Sequence, residues 1–401
     1  MKTKMLLLSI LMLVNTVSFA TRLMNPNNLD DPNIILYYIS SSWKSLQRSM
    51  NNCSSISDPK THVPAVLYLP FGLEMPGPVK ELKKRCNLTV KYLPKKINKL
   101  GEINSDKIQP AGLLYLPYPY VVPGGMFNEM YGWDSYFIIR GLIEAKKYRL
   151  AHGIVKNFFF EIDHYGGTLN GNRTYYLSRT QLPFLAPIIR TVYTADIARH
   201  KADLEWLAKA YRYAVKDYNL WTRAPHLAGN TGLSRYYDFG DGPVSEIAQS
   251  KTYYTDIIRY FLNHPKIAQP YLFFLGKTAP DLKTGTVYTI TLCNKPTIKQ
   301  TKAGKKKYNV CKIVKNVGLS SNFYKGDRAM RESGFDTSFR FGPFSADTID
   351  YAPVDLNSLL YKTERDLEWM STQLGKQALA NHWAKKAKLR SKLINQYLWN
   401  K

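Results

Sequence analysis

Residues 123–137 read Pro-Gly-Gly-Met-Phe-Asn-Glu-Met-Tyr-Gly-Trp-Asp-Ser-Tyr-Phe, and they are the most informative stretch of this 401-residue chain. Gly124 and Gly125 let the backbone bend where a side chain would obstruct a ligand. The residues after them combine aromatic rings with two carboxylates, Glu129 and Asp134. Aromatic rings give a sugar ring an apolar wall, and carboxylates accept hydrogen bonds from hydroxyl groups. We therefore expect a site for a neutral ligand rich in hydroxyl groups.

Three further segments carry similar side chains, at 170–183, 331–341 and 353–357. Residues 170–183 are dense in amide and guanidinium groups, and residues 331–341 place Asp336 among phenylalanines. Burial against such rings would raise the pKa of the Asp336 carboxyl, as a general acid requires. Simpler interpretations remain open, because Asn-Gly-Asn is also a common turn and Asp355 could only cap a helix. Acids, arginines, amides and aromatics without a metal or phosphate motif favour a carbohydrate ligand.

The hydrophobic periodicity predicts mostly helices joined by long loops that carry these polar segments. Residues 287–293 differ, because they are β-branched and alternate, and the pattern resumes over 305–314. This indicates a small β-hairpin insertion near 285–315. We expect an all-α helical barrel with its site at one end. The predicted helical segments are 29–50, 134–160, 182–221, 246–265 and 355–398.

The chain is basic, with a net charge of +26, and 45% of its residues are hydrophobic. The lysines are dispersed and no nucleic-acid motif accompanies them, so we predict no nucleic-acid partner. Attachment to an anionic surface through this charge remains a weaker alternative. Proximity favours the disulfides Cys53–Cys86 and Cys293–Cys311, although buried free thiols are the other possibility. No spacing of Cys or His indicates a metal site, and we expect no cofactor.

The N-terminus has the layout of a secretory signal peptide. Lys2 and Lys4 precede an apolar run at 5–14, and small residues follow up to Ala20. The alternative is a membrane anchor, for which the run is short. We therefore predict a signal peptide at 1–20, cleavage near Ala20, a secreted or periplasmic location and no membrane span.

Together these segments resemble glycoside hydrolase family 37, the α,α-trehalases. Residues 123–136 follow the family pattern P-G-G-R-F-x-E-x-Y-x-W-D-x-Y except at one position. Residues 170–183 follow N-G-N-R-[ST]-Y-Y-x-x-R-[ST]-Q-P-P with Leu182 for the first proline. Residues 332–341 follow E-S-G-W-D-x-S-x-R-W with phenylalanine for both tryptophans, and residues 353–357 match P-V-D-L-N.

The resemblance implies an (α/α)6 barrel that hydrolyses trehalose to two glucose molecules with inversion. Inverting glycosidases use one carboxyl group to protonate the leaving oxygen and a second to activate water. Asp336 matches the family's general acid. The resemblance implies trehalose as the small-molecule partner, and it leaves the oligomeric state open. The positions that match substrate-binding residues are Phe127, Trp133, Asp134, Asn170, Arg179, Gln181, Glu246 and Gly334.

The chain also departs from the family pattern. Met126 and Val244 stand where the resemblance places arginines. A hydrogen bond from a charged group contributes about 1.5–3 kcal/mol, so each replacement predicts weaker ligand binding. Arginines elsewhere in the motifs could compensate, and the candidates are Arg140, Arg173, Arg235 and Arg340.

The end of the chain is the larger departure. Family members continue past the position of Lys401 with a Q-W-D-x-P pattern, the general base and the last barrel helices. We therefore expect a trehalase-like domain at 21–401 without a general base and without the last helices. Two functions follow from this: an α,α-trehalase of reduced activity, or a non-catalytic sugar-binding remnant of one.

Overall fold

The structure is a computed structural model that describes residues 32–57, 65–247, 252–275, 286–293, 297–301, 304–308 and 311–400. The predicted signal peptide at 1–20 lies outside these residues. The single domain predicted for 21–401 stays a prediction. Within the described ranges, no helix combines the length and the apolar character that crossing a membrane requires.

Helices dominate the described chain, as predicted. They are α1 (Pro32–Ser45), α2 (Gly77–Arg85), α3 (Asp134–Glu144), α4 (Tyr148–His164), α5 (Leu185–Ala198), α6 (Leu204–Trp221), α7 (Tyr253–Asn263), α8 (Pro265–Ala268), α9 (Ser321–Glu332), α10 (Val354–Gln373) and α11 (Gln377–Tyr397).

Six of these helices form three hairpins with short connections: α3 with α4, α5 with α6, and α10 with α11. Helix α5 packs against both α3 and α10, so the first helices of the three hairpins lie side by side. The loops at 123–133, 170–184 and 333–353 precede these three helices. Contacts between the loops, described below, bring them together at one end of the helical layer, where the sequence predicted the site.

The three longest helical segments predicted from periodicity, 134–160, 182–221 and 355–398, are each two helices, whereas 29–50 contains α1 and 246–265 contains α7. Lys146, His200 and Gly375 have positive φ angles of 56°, 53° and 67° in the connections of the three hairpins. A residue in this left-handed region ends a helix, because the next residue can no longer continue the helical hydrogen bonds. Asp203 then caps α6 by accepting hydrogen bonds from the amides of Glu205 and Trp206.

The predicted β-insertion is confirmed, with a more elaborate topology. Strand β7 (Tyr288–Cys293) pairs antiparallel with β10 (Cys311–Leu319), and the Cys293–Cys311 disulfide joins paired residues of the two strands. β6 (Leu272–Phe274) pairs with the other edge of β10, while β8 (Thr297–Thr301) and β9 (Gly304–Tyr308) form a separate hairpin. The segment predicted as one strand over 305–314 therefore belongs to two strands.

A second sheet, near the N-terminus, was not predicted. β2 (Ala65–Leu69) lies between β3 (Leu88–Tyr92) and β4 (Leu113–Leu114), all parallel, and α2 crosses over between β2 and β3. The tripeptide Tyr-Leu-Pro overlaps the ends of β2 and β3 and directly follows β4. This repeat could have revealed the sheet. The Cys53–Cys86 disulfide, also as predicted, ties this region together. The short strands β1 (Gln47–Arg48) and β5 (Tyr120–Val121) form a two-stranded ribbon.

Two cores hold the molecule together. The larger one joins the N-terminal sheet to the three helical hairpins and includes Trp221, Tyr120 and Tyr165. The smaller one lies between α7, α9 and the β6–β10–β7 sheet and includes Phe261, Phe323 and Tyr324. Helix α9 begins two residues after β10 and ends at Glu332, so it connects the smaller core with the polar loops.

Candidate active site

The loop at 123–132 is held from outside by Arg48 in β1. Its guanidinium donates hydrogen bonds to the carbonyls of Gly125 (3.1 Å) and Phe127 (3.2 Å) and to Oδ1 of Asn128 (2.7 Å). The Phe127 ring lies edge-on to Tyr131, 5.6 Å between centroids. Met126 is exposed at the tip of the loop. The loop is therefore fixed through its backbone by a residue that the sequence did not single out.

Part of the 170–183 segment is structural. Asn172 accepts a hydrogen bond from the amide of Met130 (2.7 Å) and donates one to the carbonyl of Leu114 (2.8 Å). Arg173 forms a buried ion pair with Glu129. These contacts fasten the segment to the loop at 123–132 and to β4.

Trp133 lies at the junction of three segments. Its amide donates to Oε1 of Gln181 (2.8 Å). Gly334, at φ +74°, adjoins the Trp133 ring, and a Cβ added there would make an ordinary van der Waals contact of 3.5 Å with Cζ2 of Trp133. Asp134 follows at the first position of α3, where burial raises the pKa of its carboxyl. The structure thus brings Trp133, Gln181 and Gly334 into contact, as a pocket with an aromatic wall requires.

A chain of alternating charges lies beside this junction. Arg179 donates from Nη2 to Oε2 of Glu246 (2.6 Å), and Arg331 donates from Nη1 to Oε1 of Glu246 (3.2 Å). Arg331 also binds Asp327 through Nε (3.3 Å) and Nη2 (3.4 Å). On the other side, Asp238 lies 3.6 Å from Nη1 of Arg179. We call these groups the charge cluster: Asp238, Arg179, Glu246, Arg331 and Asp327.

The charge cluster holds Glu246 ionised. Burial opposes ionisation, but the charges of Arg179 and Arg331 more than offset it, so the pKa of the Glu246 carboxyl is lowered. Arg179 also packs on the ring of Tyr176, 4.9 Å from its centroid, and its Nε has no hydrogen-bond partner among the described residues. Asn170 contacts the charge cluster, because its side-chain amide donates to the backbone carbonyl of Arg331 (3.4 Å).

Asp336 lies apart from the charge cluster. Its side chain is exposed in an open pocket of about 500 Å³ lined by Phe335, Ser338, Phe339 and Arg340, among others. The expectation that the surrounding rings bury Asp336 is therefore wrong. The rings of Phe335 and Phe339 are themselves 37% and 56% exposed, so they do not exclude solvent from the Asp336 carboxyl.

Other motif residues support the site from below. Glu332 is fully buried, where it contacts Nε2 of His226 (3.2 Å) and accepts from the amide of Tyr237 (2.6 Å), and burial raises the pKa of its carboxyl. Asp355 accepts from the hydroxyl of Tyr236 (2.6 Å). Asn357 binds the amide and the carbonyl of Ser234. The side chains of the 353–357 motif therefore position the segment at 234–236 of the same chain.

The four arginines proposed to compensate for Met126 and Val244 have other contacts. Arg140 lies over the ring of Tyr136, and Arg173 pairs with Glu129. Arg235 binds backbone carbonyls, and Arg340 lines the Asp336 pocket. The guanidinium beside Glu246, apart from Arg179, is that of Arg331. Sequence reasoning missed Arg331, although Asp327 lies four residues earlier on α9, which is the spacing of an ion pair on one face of a helix.

The described residues contain no group of three or more His, Cys, Asp and Glu side chains arranged to hold a metal ion. The site instead combines an aromatic wall, amides and paired charges at the end of a layer of helical hairpins. This combination is typical of (α/α)6-barrel glycosidases.

The chain belongs to the trehalase family, whose model matches residues 74–268 and 288–401. The cytosolic neutral trehalase of Saccharomyces cerevisiae is 33% identical over 398 residues, which cover 89% of this chain and 47% of the relative. That of Kluyveromyces lactis is 34% identical over 290 residues, covering 70% of this chain and 33% of the relative. The chain thus spans about a third to a half of the length of these relatives.

A solved structure agrees. Neutral trehalase Nth1 from Saccharomyces cerevisiae superposes with a TM-score of 0.68 at 31% identity, covering 92% of this chain and 67% of that one. This likeness confirms the predicted all-α fold of the (α/α)6 glycosidase type. The predicted secreted or periplasmic location is wrong, because the relatives are named cytosolic neutral trehalases. The apolar run on which that prediction rested lies outside the described residues.

Proposed function

We propose that this site binds α,α-trehalose and that the chain is a trehalase, hydrolysing trehalose to two glucose molecules with inversion. Membership of the trehalase family supports the choice of substrate. The observation that carries the proposal is the contact between Trp133, Gln181 and Gly334 beside the Arg179–Glu246–Arg331 cluster. A disaccharide needs such a pairing of an apolar wall with fixed donors and acceptors.

The binding residues have distinct chemical roles in this proposal. Trp133 packs on the apolar face of a glucose ring, and Gly334 leaves room for that ring because it carries no side chain. Asn170 and Gln181 offer amide groups to hydroxyls. Each Glu246 oxygen has a lone pair left after binding one arginine, so the ionised carboxylate accepts sugar hydroxyls. Phe127 and Asp134 complete the wall and the rim.

Asp336 is the proposed general acid. Its exposed carboxyl, in the open pocket next to Gly334, protonates the glycosidic oxygen as the bond to the departing glucose breaks. Inversion requires a second carboxylate that activates water on the opposite face of the sugar, and we assign no residue of this chain to that role.

One observation favours a second candidate function, the binding of trehalose without hydrolysis. The charge cluster is closed by buried ion pairs, whereas Asp336 is exposed and has no hydrogen bond or ion pair to another described residue. A chain with this geometry can hold the sugar whether or not it transfers the proton.

Two measurements on the wild-type chain separate these functions. Titration calorimetry with trehalose, and with maltose as the control disaccharide, measures binding, and a coupled assay measures glucose release. We expect saturable binding that prefers trehalose. Binding with glucose release supports the hydrolase, and binding without release supports the second function. A well-folded chain that binds neither disaccharide would overturn both.

A further inference from the structure

The two amide side chains of the proposed sugar pocket, Asn170 and Gln181, lie on neighbouring segments of backbone. The backbone amide of Asn170 donates to the carbonyl of Arg179 (3.1 Å), so the two segments run side by side. Both also contact the start of the aromatic wall. The carbonyl of Asn170 accepts from the amide of Gly132 (3.3 Å), and Oε1 of Gln181 accepts from that of Trp133 (2.8 Å). The position of one amide therefore depends on that of the other.

Two buried hydroxyl groups also join these segments. Thr168 lies two residues before Asn170, and Thr180 lies directly before Gln181. Their Oγ1 atoms are 3.0 Å apart. Thr168 also donates from Oγ1 to Oδ1 of Asp217 (2.8 Å), which belongs to helix α6. The two hydroxyls, which we call the threonine pair, therefore fasten both segments to α6.

The hydrogen bonds of the threonine pair have a direction. A threonine hydroxyl carries one proton. Because Thr168 gives its proton to the Asp217 carboxylate, its oxygen accepts from Thr180. The second acceptor within reach of Thr180 is the carbonyl of Gln181 (3.3 Å). Without an acceptor on α6 the direction reverses, so that Thr168 donates to Thr180 and Thr180 donates to that carbonyl. Each hydroxyl then keeps a partner, but the link to α6 is lost.

Asp217 does not stabilise the fold by its charge. Its side chain is buried and forms no ion pair with another described residue. Burial raises the pKa of the Asp217 carboxyl to about 6, although the hydrogen bond from Thr168 opposes this. The unfolded value is 3.8, so stability is lost as the pH rises from about 4 to 6, and the ionised carboxylate at pH 7.5 lowers it. A buried acid that costs stability marks a candidate for a functional role.

We propose that Asp217 is a positioning residue, which holds the amides of Asn170 and Gln181 in the sugar pocket through the threonine pair. This inference rests on the proposed function, because it explains how the same pocket is organised. Groups that bind a ligand need supporting hydrogen bonds that fix them to within a fraction of an ångström. Amides that are fixed before the sugar arrives spend less free energy on ordering when it binds. Asp217 therefore contributes to affinity without touching the sugar.

The experiment compares the wild type, Asp217→Leu and Asp217→Asn at pH 7.5. Leucine has the branched shape of aspartate but no acceptor, so trehalose binding should weaken by roughly tenfold. Its denaturation midpoint should not fall, because the buried charge is gone and both threonines keep a partner. Asparagine keeps an acceptor oxygen for Thr168 and should restore most of the affinity. Calorimetry with trehalose and denaturant titration measure the two effects.

A double-mutant cycle tests the route through the amides. If Asp217 acts through Gln181, the loss caused by Asp217→Leu should be at least roughly twofold smaller in a Gln181→Ala background than in the wild type. If Asp217→Leu does not fold, the partner threonine decides. Thr168→Val removes the hydroxyl and should lose the affinity, whereas Thr168→Ser keeps the hydroxyl and should retain it.

The matched control is Asp196→Leu, which removes a buried acid paired with His152 and Arg199 in the last turn of α5. It should lose stability and bind trehalose as the wild type does. The inference is overturned, while the proposed function stands, if Asp217→Leu keeps its affinity, if Asp217→Asn does not restore it, or if Asp217→Leu loses as much stability as the control. A wild-type chain that does not bind trehalose overturns both.

Discussion

The two halves of the proposed site are built differently. The charge cluster around Glu246 is buried and each of its carboxylates contacts an arginine, whereas Asp336 lies in an open pocket between partly exposed phenylalanines. A buried, paired cluster is organised before the ligand arrives, so it spends little free energy on ordering when the ligand binds. An exposed carboxyl gains its working environment only when a ligand covers it. In the proposed function, binding is therefore fixed by the fold, whereas the chemical step depends on the bound sugar.

Asp336→Asn tests the chemical half and should have the largest effect. The amide cannot protonate the leaving oxygen, so glucose release should fall by at least about 10²–10⁴-fold. Because Asp336 is exposed and outside the charge cluster, trehalose affinity should change by less than about threefold. A coupled glucose assay and calorimetry on the same preparation check both. Undiminished release, or lost binding, would remove the distinction between the halves.

Glu246→Gln tests the binding half. The neutral amide leaves Arg179 and Arg331 without their shared counter-charge, and breaking a buried pair costs about 3–5 kcal/mol, less here because the side chain keeps some exposure. We expect a lower denaturation midpoint together with roughly 10–100-fold weaker trehalose binding. Denaturant titration and calorimetry measure the two effects. Unchanged affinity would show that the cluster is structural.

The pH dependence sharpens the same point. The folded-state pKa of Glu246 is lowered, so its contribution to stability is fully present above the unfolded value of 4.5 and is lost as the pH falls through the lower folded value. The Glu246 contribution to trehalose affinity should therefore be constant from pH 5 to 8 and fall only below about pH 4.5. Glu246→Gln should lack that acidic decline, and a decline of equal size in this variant would assign it to another group.

Gly334→Ala should have a smaller effect on both halves. At φ +74° an alanine is strained by about 1 kcal/mol, and its methyl group would lie against the Trp133 ring. A loss of stability of that size and a several-fold loss of trehalose affinity are expected. Gly375→Ala is the matched control, because it has a similar φ of +67° but open space around it, and it should lose stability without losing affinity.

Phe339→Ala should have the smallest effect on stability. The ring is 56% exposed, so its removal should cost less than about 1 kcal/mol. If the open pocket forms around the sugar, the rate of glucose release should fall more than trehalose affinity does. Steady-state kinetics show this as a lower kcat with a nearly unchanged KM. A change in KM alone would place Phe339 in the binding half.

The sequence predicted the helical class and the polar segments well, because periodicity and motif order are local signals. It did not predict the turns at Lys146 and His200, since neither residue type announces a left-handed conformation. The parallel sheet was missed because its strands are 20 or more residues apart, so its signal was the spaced Tyr-Leu-Pro repeat rather than a continuous local pattern. The Cys293–Cys311 and Cys53–Cys86 pairs were correct, as sequence proximity suggested.

The candidate site shows the same division. Motif matching selected Trp133, Gln181, Gly334, Arg179 and Glu246, which the fold does bring together, although their roles stay proposals. It could not find Arg331, because a matched pattern names only the positions it contains. It also predicted a buried Asp336, whereas burial depends on which elements cover a loop, and those elements are remote in sequence.

Helix α9 has a consequence for how this protein can diverge. Its first turns are anchored by Phe323 and Tyr324 in the core of the insertion sheet, and its last turn carries Arg331 and Glu332 into the polar loops. A rigid helix transmits at one end a displacement imposed at the other. If the proposed site binds a sugar, substitutions that change side-chain volume in the sheet core would therefore adjust its affinity without altering any residue of the pocket, and selection on affinity can act through residues that never contact the ligand.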